Sequence, residues 1–97
     1  MKTYIITYQL REVWANYDKF YETLKSTYPD NIHFIETAWV VRTDDSAETI
    51  TKVLRERMGP RDSIFVAEIT DDRDGFVGKG TWEWFGKNTE HKILEKK

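Results

Sequence analysis

The stretch that decides the fold is residues 44–60, "DDSAETITKVLRERMGP". Apolar side chains recur in it at helical spacing and form one stripe. They are Ala47, Ile50, Leu54 and Met58. Asp45, followed three residues later by Glu48, predicts a capping box at the start of the helix. Gly59 and Pro60 predict its end. This segment is therefore expected to be an amphipathic helix with one buried side.

Strand patterns lie on both sides of this helix. Residues 2–10 alternate aromatic and β-branched side chains, and residues 64–67, "IFVA", form a nearly continuous apolar run. Residues 31–43, "NIHFIETAWVVRT", are either one long kinked strand or two short strands that fold near Glu36 and Thr37. The two-strand arrangement is favoured.

A second helix is predicted over residues 17–28, "YDKFYETLKSTY", with Asn16 as its N-cap and Pro29 as its stop. The resulting order is β-α-β-β-α-β. It predicts an α+β, ferredoxin-like plait in which two helices cover one face of an antiparallel sheet. We expect a single domain, residues 1–97, with a core at residues 1–70 and a Trp-rich extension at residues 71–97.

The extension carries two weaker patterns. "TWEWF", residues 81–85, alternates like a short strand and places Trp82 and Trp84 on one side. Burial of these rings against the sheet or a partner is favoured over a platform for stacking bases. Residues after Asn88 or Thr89 are expected to form one or two turns of helix.

Composition excludes several classes of protein. Ninety-seven residues with a formal net charge of -2 do not suit a strong non-specific nucleic-acid binder. The absence of cysteine excludes a disulfide scaffold and a thiolate metal site. No signal peptide or membrane-spanning run is recognisable, so we expect a cytoplasmic protein without a membrane partner.

Few residue patterns point to catalysis. The acidic run of Glu68, Asp71, Asp72 and Asp74 lacks the spacing of a calcium loop and is interpreted as a solvated turn. "GFVGKGT", from Gly75, lacks the spacing of a phosphate loop. His33 and His91 are isolated from each other in sequence, and no serine lies in a nucleophile elbow.

One locally basic region could contact nucleic acid, although a solvated helix face is the favoured interpretation of its charges. The candidate nucleic-acid-binding residues are Arg11, Arg42, Lys52, Arg55, Arg57 and Arg61.

The apolar strand at residues 64–67 predicts that both faces of the sheet are covered. Two helices cover only one face, so either the extension or a second copy of the chain covers the other. A homodimer is expected. The candidate interface residues are Ile5, Gln9, Ile64, Phe65, Val66, Trp82 and Trp84.

Residues 1–70 as a whole resemble the SinR family of small bacterial proteins. The resemblance rests on "MKTYIITYQLR", a Tyr-rich first helix, "HFIETAWVVRTDDSAETI" and "RDSIFVAEIT". At the level of the fold the chain also resembles the small CRISPR-associated adaptation subunit and the VapD toxins. In those relatives the first strand typically ends in Tyr-Asp-hydrophobic. The resemblance implies that two such aspartates, one from each protomer, hold a divalent metal for phosphodiester cleavage.

This chain departs from that pattern, because Gln9 stands where the resemblance implies the aspartate. An amide does not supply the negative charge that binds Mg²⁺. We therefore expect a non-catalytic, dimeric binding module without a cofactor, whose partner is nucleic acid or another protein. The alternative is a Mg²⁺- or Mn²⁺-dependent endonuclease that uses other acids. The candidates for that role are Glu12, Asp44 and Asp45.

Overall fold

A computed structural model describes residues 1–12 and 17–86 of the chain. Its strands are β1 (Lys2–Gln9), β2 (Asn31–Ile35), β3 (Ala38–Thr43) and β4 (Ser63–Ile69). Its helices, within those residues, are α1 (Asp18–Thr27), α2 (Ala47–Arg55) and α3 (Lys79–Phe85). No helix in this part of the chain is long and apolar enough to cross a membrane.

The four strands form one antiparallel sheet in the order β2-β3-β1-β4. Central strand β1 pairs Ile6 with Trp39 of β3 on one side and with Val66 of β4 on the other. The result is a small α+β fold that is compatible with a ferredoxin-like arrangement. Residues 31–43 form two strands joined by a turn at Glu36 and Thr37, which confirms the two-strand prediction.

Helices α1 and α2 share one face of the sheet, called here the first face. Alternation along β1 brings Tyr4, Ile6 and Tyr8 to this face, where they join a single buried cluster. Both helices contribute apolar side chains to the same cluster. These are Phe20 and Leu24 from α1 and Ile50 and Leu54 from α2, all fully buried. The stripe predicted from residues 44–60 is therefore the buried side of α2.

Helix α2 begins one residue later than the capping-box prediction. Its N-cap is Ser46, whose Oγ accepts a hydrogen bond from the Thr49 N–H at 3.1 Å. Asp45 has another role, because its carboxylate accepts a hydrogen bond from the Tyr28 hydroxyl at 3.0 Å. Helix α1 ends before Pro29, as predicted. The proposed N-cap Asn16 lies outside the described residues.

The prediction of a strand at residues 81–85 is wrong, since "TWEWF" belongs to helix α3. Five alternating residues fit a strand, but side chains two positions apart on a helix point in nearly opposite directions. Trp82 is only 4 % exposed, whereas Trp84 is half-buried and lies against other partners. Tertiary contacts with the sheet therefore determine the conformation here. The helix predicted after residue 88, and His91 within it, lie outside the described residues.

The opposite side of the sheet, called here the second face, is covered over half its width. Val40 pairs with Ile5 on this face and is completely buried, although it is not part of the core cluster of the first face. Helix α3 contacts β2 and carries the buried Trp82, so it covers the β2–β3 half. Within residues 1–12 and 17–86 no helix lies over the β1–β4 half, called here the open half, and Phe65 there is 67 % exposed.

Candidate functional site

A shallow hollow of about 260 Å³ lies at one end of the open half of the second face. It is lined by Thr7, Tyr8, Gln9, Ser63, Ile64 and Phe65. The register forms it, because Thr7 lies opposite Phe65 and Gln9 lies opposite Ser63. The Thr7 hydroxyl also donates a hydrogen bond to the Phe65 carbonyl at 3.5 Å. The exposed Phe65 ring and the Gln9 amide are thus two residues apart in register, on the same side of the sheet.

Gln9 holds a guanidinium group beside this hollow. Its Oε1 accepts a hydrogen bond from Arg11 at 2.9 Å, and both residues are exposed. The charge next to the amide is therefore positive. A divalent cation at this position would meet a dipole and a neighbouring cation instead of a carboxylate.

The Asp62 carboxylate fixes the backbone at this end of the sheet. It accepts hydrogen bonds from the N–H groups of Arg11 and Gly59, each at 2.7 Å. The Tyr17 hydroxyl approaches both of its oxygens, at 2.8 and 2.9 Å. Burial raises the pKa of Asp62, but the hydrogen bonds from Arg11, Gly59 and Tyr17 outweigh it and hold the pKa below its ordinary value. Asp62 thus joins the end of β1, the start of α1 and the segment before β4.

Glu12 is turned into the protein rather than towards the hollow. The residue is 7 % exposed, and its carboxylate lies 3.8 Å from Arg61. Its backbone N–H donates a hydrogen bond to the Tyr17 hydroxyl at 3.0 Å. Gly59 leaves room for it, because a Cβ at position 59 would lie 3.0 Å from Glu12 Cγ. Glu12 therefore offsets the charge of the Arg61 guanidinium.

The same end of the sheet gathers several arginines, since α2 ends and β4 begins there. Arg11, Arg55, Arg57 and Arg61 are all exposed. The exposed acids of the neighbouring segments are Asp18 at the start of α1, Glu36 in the β2–β3 turn and Glu56 after α2. This end of the sheet is therefore rich in exposed arginines, one of which, Arg61, is paired with Glu12 at 3.8 Å.

Two predicted nucleic-acid contacts lie elsewhere. Arg42 is in contact with α3, where its guanidinium lies 3.8 Å from the centroid of the Trp84 ring and 3.2 Å from an Asp30 oxygen. Lys52 lies on the exposed side of α2 and is 3.7 Å from Glu48, one helical turn earlier. The predicted basic set is therefore divided into an arginine-rich end and two separate side chains.

The predicted interface residues are also divided. Ile64 and Val66 pack against the core of the first face. Trp82 is buried, and Trp84 covers Arg42 within its own chain. The remaining three are Ile5, Gln9 and Phe65, all on the open half of the second face.

The acids proposed for the alternative endonuclease do not all lie close together. Thr43, just before Asp44 and Asp45, pairs with Lys2 at the beginning of β1, whereas Glu12 follows its end. A strand of eight residues separates these ends by about 24 Å. In residues 1–12 and 17–86, no group of three or more His, Asp or Glu side chains is arranged to hold a metal ion.

A buried aromatic network supports β1 beneath the hollow. Trp39 Nε1 donates a hydrogen bond to the Tyr8 hydroxyl at 2.8 Å, and the Tyr8 ring meets Phe20 edge-on at 5.0 Å. Burial, with a contribution from Tyr21, raises the pKa of Tyr8, so its hydroxyl stays protonated. His33 stacks on Trp39 at 4.2 Å, which makes it part of this network.

Sequence reasoning missed the roles of Asp62 and Tyr17. An aspartate after Gly-Pro and a tyrosine at a helix start are common, so neither carries a signal by itself. The exposure of Phe65 had a signal, because alternation along β4 places Phe65 and Ile64 on opposite faces.

In comparisons with known proteins, no family model matches the chain, and no curated protein or solved structure matches it at a significant level. The resemblance to SinR-family proteins is therefore still a hypothesis that rests on the quoted sequence segments.

Proposed function

We propose that this chain is a non-catalytic binding module for single-stranded nucleic acid. The observation that carries the proposal is the exposed Phe65 ring, two residues in register from Gln9, whose amide is bonded to Arg11. An aromatic ring on an open sheet face and a neighbouring cation are the two elements that single strands need. Proteins that bind a single strand stack its bases on aromatic side chains and bind its phosphates with arginines.

The hollow suits one flat ring. Its volume of about 260 Å³ lies below the ~300–1,000 Å³ of typical sites for small molecules. A base that stacks on Phe65 would place its polar edge near the Gln9 amide, which both donates and accepts hydrogen bonds. Its phosphate would then face Arg11, with Arg61 and Arg57 further along the same end of the sheet.

The non-catalytic part of the proposal rests on Gln9. Its side chain contributes no charge, and its carbonyl oxygen is already bonded to Arg11. The acids of the alternative endonuclease lie at opposite ends of β1, which supports binding without cleavage.

We also infer that the core is a ferredoxin-like plait and that the protein is a homodimer. The strand order β2-β3-β1-β4 and the two helices on one face support the first inference. Edge strand β4 offers a row of backbone groups to a second copy. Antiparallel pairing about Val66 would put Phe65 opposite Ala67 of the other copy. The two Phe65 rings would then be diagonal neighbours, ~7–8 Å apart on one continuous face.

The proposal is tested by fluorescence anisotropy with end-labelled single-stranded DNA and RNA. Phe65→Ala should weaken binding on the order of tenfold, the effect of losing one stacked base. Arg11→Ala should weaken it and also reduce the salt dependence, because one phosphate contact is lost. Phe76→Ala is the matched control, since Phe76 is 74 % exposed but lies on the loop before α3.

Two results would overturn the proposal. Cleavage of either nucleic acid that EDTA abolishes would refute the non-catalytic part. Wild-type protein that binds no oligonucleotide at low salt would refute nucleic acid as the partner. The exposed Phe65 surface would then be assigned to a protein partner.

A further inference from the structure

Helix α3 is short and intrinsically weak. It has seven residues, Gly78 at its N-cap without a side-chain hydrogen bond, and Gly80 in its first turn. Isolated helices shorter than ~12–15 residues are marginal in water, and glycine favours the helix less than alanine does. The helix therefore depends on the contacts that hold it to the sheet.

Trp82 supplies buried apolar contact, and a polar cluster of Asp30, Arg42 and Trp84, called here the latch, supplies hydrogen bonds and an ion pair. Arg42 lies 3.2 and 3.4 Å from the two Asp30 oxygens and also donates to the Trp84 carbonyl. Trp84 Nε1 donates to Asp30 at 3.1 Å, and the Trp84 ring lies over the Arg42 guanidinium. Asp30 is exposed and the Arg42 side chain is 29 % exposed, so solvent and ions reach the latch.

The surface beneath α3 continues the open half of the second face. Ile32, Val40, Ile5 and Ala67 form one row across the four strands. Val40, on the side that α3 covers, is completely buried, whereas Ile5 and Ala67 are half-buried. Arg42 lies two residues beyond Val40 on the same face. Removal of α3 would therefore join an apolar strip and a freed arginine to the hollow at Phe65.

We propose that α3 is a displaceable cover that limits the nucleic-acid site to the β1–β4 half of the sheet. The inference rests on the proposed function, because it concerns regulation of the same site. A phosphate of a longer strand can replace the Asp30 carboxylate at Arg42, since both are oxyanions that a guanidinium binds. The latch then opens, and the strand crosses the whole sheet. A short strand that reaches only the hollow leaves α3 in place.

Displacement is measured by amide hydrogen exchange of the full chain, resolved by mass spectrometry. Trp84→Ala and Asp30→Asn should each speed exchange in α3 on the order of tenfold, while α1 and α2 are unchanged. Salt should also speed α3 exchange in the wild type, because it screens the ion pair. Glu83→Gln is the matched control. It removes an exposed charge of α3 that lies 3.9 Å from Lys79 and does not touch the latch.

The binding measurement then separates a cover from a purely structural helix. Asp30→Asn should increase the affinity for a long oligonucleotide several-fold and leave that for a trinucleotide unchanged. A long oligonucleotide added to wild-type protein should itself speed α3 exchange, and a trinucleotide should not. If Asp30→Asn binds the long strand no more tightly than the wild type does, the proposal that α3 is a displaceable cover is wrong.

The outcomes distinguish this inference from the proposed function. If α3 exchange in both latch variants equals that of the wild type, α3 is not displaceable, and the inference fails even though Phe65→Ala still weakens binding. If no oligonucleotide binds to the wild type, the proposed function fails together with the role of α3 as a cover for this ligand. Faster exchange in the variants would then show only that the latch holds the helix.

Discussion

Substitution of Asp62 by alanine should cost this protein a large part of its stability. The carboxylate accepts hydrogen bonds from two backbone N–H groups at 2.7 Å and from the Tyr17 hydroxyl. Each such bond contributes about 1 kcal/mol, and somewhat more when the acceptor is charged. The sum is about 3–5 kcal/mol, which for a domain of this size lowers Tm by roughly 12–40 °C.

Urea unfolding followed by tryptophan fluorescence measures this loss. Asp72→Ala is the control, because it removes the same charge from an exposed loop position. Tyr17→Phe removes one of the three donors to Asp62 and also the acceptor of the Glu12 N–H, so it should lose more than a third as much stability as Asp62→Ala. A change for Asp62→Ala no larger than that for Asp72→Ala would refute the view that Asp62 holds this end of the sheet together.

The stability that Asp62 contributes should also depend on pH in a defined direction. Folding lowers the pKa of Asp62 from its ordinary value of 3.8. Such a group adds stability above the pKa of the unfolded state and loses that contribution as the pH falls through the folded-state pKa. The difference between wild type and Asp62→Asn should therefore be constant near neutral pH and become smaller below about pH 3.8. A difference that grows on acidification would contradict the sign of the shift.

Three further predictions concern other parts of the molecule. Light scattering at micromolar concentration should give about twice the chain mass of 11.6 kDa, and a monomer mass would exclude the proposed dimer. Mg²⁺ or Mn²⁺ should not raise the Tm of wild type or of the amide control Gln9→Asn, because position 9 then offers no carboxylate and lies beside the Arg11 guanidinium. Tyr8→Phe should destabilise the protein by about 1–3 kcal/mol, because the buried Trp39 N–H loses its acceptor. Tyr4→Phe, on the same face of β1, is the control, because it also removes a tyrosine hydroxyl. An equal decrease in stability in both variants would contradict the role of the Trp39 bond.

The sequence was informative where the signal is local. The stripe of α2, the stop at Pro29 and the alternation of β1 each depend on residues close together in the chain, and the structure has all three. Helix α3 was predicted as a strand because the pattern of its five residues, 81–85, fits both the strand period and the helix period. Contacts with residues such as Arg42, more than forty positions away, decide between them.

The candidate site could be predicted only as a list of residues. Charge counts treat Glu12 and Asp62 as surface acids, but one is buried and the other is occupied by hydrogen bonds from three elements. The bond between Gln9 and Arg11 depends on side-chain rotamers at the end of a strand, which the residue types do not specify. Long-range geometry thus determines which of the predicted arginines share a surface.

The position of α3 at the end of the described chain has a consequence for synthesis on the ribosome. Once Ile69 has emerged, all four strands and the two helices of the first face are available to fold. Residues 70–85 add sixteen more positions, which at ~5–20 residues per second take about 1–3 s to translate. During this interval Val40 and the β2–β3 half of the second face lack their cover. A nascent chain that folds early therefore presents the whole sheet to its surroundings before the mature molecule conceals half of it.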